Sequence, residues 1–193
     1  ILIVEDNPVN QEVTLEMLRR VREEGFDQVG IVIQSYLYRS EEDVSRLMTE
    51  GVAVRLVKGA YQEPESLAYP KKEDVDASFD RVTDLLIAGA GELGGRTISE
   101  DGRVPPVAAI ASHDETRILH AKQAAERTGL PKQALEFQML YGIRRDLQDQ
   151  LTREGYPVRI YVPYGSHWYP YFMRRLAERP ANVWFFMSNF FKK

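Results

Sequence analysis

Cysteine is absent from the 193-residue chain, which excludes disulfides and thiolate-ligated metal sites. Long apolar runs are missing as well. None approaches the roughly 20 residues that span a bilayer, no signal-peptide pattern is visible, and no membrane partner is expected. Basic charge is not concentrated anywhere: 25 Lys and Arg face 29 Asp and Glu, for a net charge of −4 and a pI near 5.5. Nucleic acid is therefore not an expected partner. Histidine is scarce, with three in the chain. Neither His120 nor His167 has metal-ligand spacing with a carboxylate pair, so no metal site is expected. A reducing, cytoplasmic setting is the expectation that remains. The chain opens inside a strand without an initiator methionine, which suggests a trimmed segment.

What is present is alternation. Strand-like runs occur at 1–4 (ILIV), 30–37 (GIVIQSYL), 54–61 (VRLVKGAY), 106–113 (PVAAIASH), 134–140 (ALEFQML) and 158–164 (VRIYVPY), each followed by a helical pattern. The runs are mostly continuous in apolar character, which favours parallel strands covered on both faces. Ser40 with Asp43 three residues later resembles a capping box. Val75, Phe79, Val82 and Leu86 recur on one helical face, as do Ile143, Leu147 and Leu151. Gly129 and Gly155 stand where glycines end helices. The segment 91–106 is rich in Gly and polar residues and reads as a surface loop or short hairpin. These features predict an α/β fold over 1–193 as a single domain, with six βα units and a mainly parallel sheet. Six units leave three arrangements open: an incomplete TIM-barrel-like sheet, one closed by dimerisation, or an open doubly wound sheet.

Two carboxylates, Glu5 and Asp6, end the first strand, where α/β proteins place ligands. The stretch 1–20 (ILIVEDNPVNQEVTLEMLRR) resembles the first strand and helix of a response-regulator receiver domain, in which such a pair helps bind Mg²⁺ beside a phospho-accepting Asp. No isolated Asp ends the next two strands, so a signalling role is the weakest expectation. The pair is expected to be solvated, with Asp6 or Asn7 capping the helix.

From about residue 26 onward the chain resembles FAD-dependent proline dehydrogenase, a (βα)8 barrel that oxidises L-proline to pyrroline-5-carboxylate. The residues that carry the resemblance are 30–44 (GIVIQSYLYRSEEDV), 54–65 (VRLVKGAYQEPE), 110–114 (IASHD), 135–148 (LEFQMLYGIRRDLQ) and 159–186 (RIYVPYGSHWYPYFMRRLAERPANVWFF). It implies that Arg174 and Arg175 grip the substrate carboxylate, a task that suits a bidentate guanidinium. It also implies that Tyr171 packs on the substrate ring and that Tyr161 and Tyr61 line the pocket. Gln34 and Arg55 would lie near the flavin ring, Lys58 and Gly59 at a strand end beside it, and His113, Gln138, Leu140 and Glu178 along the cofactor. The residue types alone allow plainer roles: solvated arginines, an Arg55 paired with a helix carboxylate, a capping His113.

The matched segments correspond to the later strands of that barrel, and the receiver-like unit 1–21 stands where the first three would be. The expectation is therefore an engineered-looking chimera, impaired or inactive, with some FAD binding retained. The alternative is an active proline dehydrogenase. An unclosed sheet exposes edges, and the apolar tail 181–191 either packs under the strands or seals a homodimer.

Overall fold

A computed structural model of the chain describes residues 2–3, 8–26, 28–59, 63–162 and 165. Among these residues six strands and five helices alternate: β1 (Leu2–Ile3), α1 (Pro8–Glu23), β2 (Gly30–Gln34), α2 (Ser40–Thr49), β3 (Ala53–Val57), α3 (Lys72–Glu92), β4 (Ala108–Ala111), α4 (Glu115–Thr128), β5 (Leu135–Leu140), α5 (Arg145–Arg153) and β6 (Val158–Tyr161). A short 3₁₀ turn, Lys132–Ala134, leads into β5. All neighbouring strands are parallel and lie in chain order, β1 to β6. Right-handed crossovers that never reverse direction place every helix on one side of the sheet. That is the winding of a barrel, and it excludes the doubly wound alternative. Among the described residues the sheet is open, with β1 and β6 each paired on one side.

The helix-facing side of the sheet is apolar. Ile31 and Ile33, Val54 and Leu56, Ala108 and Ile110, and Leu135, Phe137 and Met139 join Leu47, Phe79, Val82, Leu86, Ile118 and Leu147 in one buried core. Phe137 and Phe79 are fully buried, each contributing roughly 1.5–3 kcal/mol by leaving water. Val75, Phe79, Val82 and Leu86 all turn inward from α3, as their spacing predicts. Gly129 ends α4 at φ 71, in the left-handed region that a C-terminal glycine enters without strain.

The opposite, concave side differs from the expectation. Side chains alternate along a strand, so it carries Gln34, Arg55, Glu136, Gln138, Arg159 and Tyr161. Gln34, Glu136 and Gln138 are buried. The helices cover one face only; the other is polar, with Arg55, Arg159 and Tyr161 part-exposed.

Three local readings change. The run 30–37 stops being a strand at Gln34, because Leu37 N–H turns back to the Gln34 carbonyl at 3.2 Å. Ser40 does not cap α2: its hydroxyl donates to the carbonyls of Gln34 (2.6 Å) and Leu37 (2.8 Å), and Asp43 pairs with Arg39. The 91–106 segment starts inside α3 and continues as a tight turn closed by Ser99 N–H to the Val104 carbonyl at 3.1 Å.

The front unit packs with the rest. Leu2 and Ile3 pair in register with Gly30 and Ile31. Arg19 grips the Glu50 carboxylate through two hydrogen bonds, at 2.6 and 3.1 Å. Glu5, Asp6 and Asn7 lie outside the described residues, as does the tail 181–191.

Candidate active site

The concave side of β3, β4 and β5 brings together residues far apart in sequence. Arg55 on β3 donates from Nε to Gln138 Oε1 on β5 at 2.6 Å. The contact passes over β4, where Ala109 stands opposite both Arg55 and Glu136; a methyl group leaves the space that a larger side chain would fill. The Arg55 guanidinium carbon also lies 4.7 Å from the centroid of the Tyr161 ring, within cation–π range. Gln138 Nε2 in turn donates to Glu136 Oε1 at 2.6 Å. Arg159 closes the network with two hydrogen bonds to the Glu136 carboxylate, at 2.9 and 2.8 Å, which raise its own affinity for its proton. A cavity of about 350 Å³ opens toward the amino ends of the strands, lined there by Gln28, Gly30, Ala53, Arg103, Pro105 and Pro106, and reaches Arg55, Ala109, Gln138, Arg159 and Tyr161.

At the carboxyl ends of the strands a second group gathers. Lys58 follows β3 and reaches Asp76 on α3 (2.5 Å) and Asp114 (2.6 Å). Asp114 caps α4 by accepting from Thr116 N–H at 3.1 Å. Burial pushes both carboxyls up, but the hydrogen bond and charge of Lys58, joined by Lys72 at Asp76 and by the Thr116 N–H and Arg117 at Asp114, together outweigh it and hold them below the usual carboxylate range. His113 Nε2 accepts the Leu140 N–H at 2.9 Å, which leaves its remaining proton on Nδ1. Burial, reinforced by the nearby charges of Arg144 and Arg55, lowers the imidazole to about 4, so it is neutral at pH 7. Arg144 holds a left-handed conformation at φ 51 and pairs with Asp146 (2.9 Å) and Glu115 (3.2 Å).

Of the residues singled out from sequence, Arg55, Gln138 and Tyr161 form one connected unit. His113 and Leu140 form another at the end of β5. Gln34 is buried on the same face. Lys58 sits at the strand end, with its ammonium between two carboxylates. Gly59 adopts φ 106, and a Cβ there would fall 2.2 Å from Cδ1 of Tyr36; the neighbour that demands glycine is a protein ring. Tyr61, Tyr171, Arg174, Arg175 and Glu178 lie outside the described residues. Sequence reasoning passed over Glu136, Arg159, Asp76, Asp114 and Arg144. Glu136 and Gln138, and likewise Arg159 and Tyr161, are two apart inside apolar strands, and that period-two polar pattern was the available signal.

Among the described residues no group of three or more His, Asp or Glu side chains could hold a metal ion, and no helix is long and apolar enough to cross a membrane. The arrangement combines a cation, an amide, an aromatic ring and a neutral imidazole on one concave surface. That set suits recognition of a planar, anionic, hydrogen-bonding ligand.

Known proteins resemble this chain over most of its length. The family model for proline dehydrogenase matches residues 5–188. Proline dehydrogenase of Deinococcus radiodurans is 46% identical over 182 residues, covering 94% of this chain and 54% of its own. Proline dehydrogenase 1 of Bacillus subtilis is 41% identical over 182 residues, covering 94% and 55%. The crystal structure of proline utilization A from Bdellovibrio bacteriovorus, inactivated by N-propargylglycine, superimposes with a TM-score of 0.75 at 29% identity, over 91% of this chain and 19% of that one. The chain thus spans about half the length of the curated relatives it matches. The family match runs from residue 5 across the expected junction at 21–22. One family therefore accounts for both sides of the join, and the receiver-like reading of 1–21 is not needed.

Proposed function

The chain belongs to the proline dehydrogenase family, and on that premise we propose that it binds FAD on its concave face and serves in the oxidation of L-proline to pyrroline-5-carboxylate. The observation that carries the proposal is the Arg55–Gln138–Tyr161 unit, a guanidinium held at fixed orientation on the inner side of a barrel-like sheet. The fit to a flavin is chemical: a planar ring that gains negative charge on reduction needs a cation and hydrogen-bonding groups beside it, and the small Ala109 leaves a floor between them. The flavin, when bound, supplies the hydride-accepting chemistry.

The chain's own residues bind and orient. Arg55 and Gln138 are proposed to hold the polar edge of the ring, with Gln34, Lys58, Gly59, His113, Leu140 and Glu178 along the cofactor. His113, neutral and hydrogen-bonded to the end of β5, adds no charge of its own there. Arg174 and Arg175 are proposed to take the substrate carboxylate, with Tyr171, Tyr161 and Tyr61 around the substrate ring. Such placement accelerates reaction by removing orientational freedom.

The second reading is a scaffold that binds FAD without oxidising proline. Anaerobic addition of L-proline to the FAD-loaded chain separates the two. Bleaching of the flavin band by proline and not by glycine supports the dehydrogenase; bound flavin that stays oxidised supports the scaffold.

A further inference from the structure

We infer that Glu136 is a positioning residue for Arg55, because it decides which end of the Gln138 amide Arg55 meets. Glu136 is fully buried. Its Oε1 accepts from Gln138 Nε2 at 2.6 Å and from Arg159 Nε at 2.9 Å, and its Oε2 accepts from Arg159 Nη2 at 2.8 Å. Gln138 Oε1 then faces Arg55 and accepts its Nε–H at 2.6 Å.

A carboxylate only accepts and a guanidinium only donates. An amide lying between them has a single workable orientation: NH₂ toward Glu136, oxygen toward Arg55. The reverse would set oxygen against carboxylate and NH₂ against guanidinium. The order acid, amide, cation is thus self-consistent, and Glu136 is the member that imposes it. The charge of Glu136 is balanced where it stands by Arg159, which also donates to the Gly102 carbonyl at 3.2 Å. What reaches Arg55 from Glu136 is therefore orientation through a neutral amide. The register makes the relay possible, since Arg55, Ala109 and Glu136 lie on one level of the sheet.

The inference rests on the flavin reading only for what Arg55 is oriented toward. Its test is read first on Arg55 itself. In the ¹⁵N-labelled full chain the Arg55 Nε–H resonance, identified by its loss in Arg55→Lys, should be protected from exchange with water. Glu136→Gln should raise its exchange rate about tenfold or more, as expected for loss of a charge-assisted hydrogen bond. The charge-balanced pair Glu136→Gln with Arg159→Gln should do the same while leaving no unpaired cation, which guards against simple misfolding. Gln138→Met keeps the Glu136–Arg159 pair and should reproduce the effect. FAD titration of the same variants should show about tenfold weaker binding. Exchange that rises in Gln138→Met but stays at the wild-type rate in both Glu136 variants overturns the inference. Exchange that changes as expected in a chain that binds no FAD upholds the positioning role and removes the flavin reading instead.

Discussion

Lys58 donates to Asp114 Oδ2 at 2.6 Å, tying the end of β3 to the first turn of α4. The same ammonium reaches Asp76 on α3 at 2.5 Å. One cation therefore fixes the spacing of three elements at the rim of the concave face. Lys58→Met should destabilise the fold by about 1–3 kcal/mol in urea denaturation at pH 7, reduced toward the low end by partial exposure of the group. The two carboxyls titrate below their ordinary range when folded. The stabilisation is therefore present above about pH 4 and is lost as pH falls through their folded values. The difference between wild type and variant should shrink in that acid range.

His113 adds a second loss of stability on acidification, of the same sign but at higher pH. Its folded value of about 4 lies below the ordinary 6.5, so between these pH values the unfolded chain binds a proton that the folded chain refuses. Stability should fall as pH drops from 6.5 to 4, by up to about 3 kcal/mol before discounting for solvent screening. His113→Gln keeps an acceptor for the Leu140 N–H and does not titrate. Its stability profile should be flatter than wild type across this window, measured by denaturation at a series of pH values.

Gly59 occupies a left-handed backbone position against the Tyr36 ring. Gly59→Ala should cost about 2–3 kcal/mol from backbone strain together with overpacking. Gly59→Ala combined with Tyr36→Leu should recover part of that loss, because the ring is the obstacle. Thermal denaturation of the single and double variants checks this.

Phe137 is fully buried and meets Tyr156 edge-on, with ring centroids 5.2 Å apart. Phe137→Ala should cost about 3–5 kcal/mol. Because the side chain points to the helices, FAD affinity should be unchanged under conditions where the variant remains folded.

Much of the fold was legible because its signals are local. The face formed by Val75, Phe79, Val82 and Leu86 and the terminal Gly129 are readable within one or two helical turns, and each lies where that pattern puts it. Arg55, Gln138 and Tyr161 were each singled out, and the structure joins them. Their connection was not legible: Arg55 and Gln138 are 83 residues apart, and no local pattern reports a contact across an intervening strand. Glu136 and Arg159 were missed for the same reason, since each reads alone as a misplaced charge in an apolar run. Ser40 misled because a serine three residues before an acid matches a helix start, while a stronger demand came from the carbonyls of Gln34 and Leu37 turning at the end of β2. The acidic pair at the front drew the first 20 residues toward another family, although a strand–acid–helix sequence is common to many βα units.

The most direct test of the account is an FAD fluorescence titration of the full chain beside Arg55→Met. Saturable quenching in the wild type, weakened about tenfold or more in the variant, is the predicted result. Absence of saturable quenching, or identical curves for the two proteins, would contradict the assignment of the concave face as the flavin site.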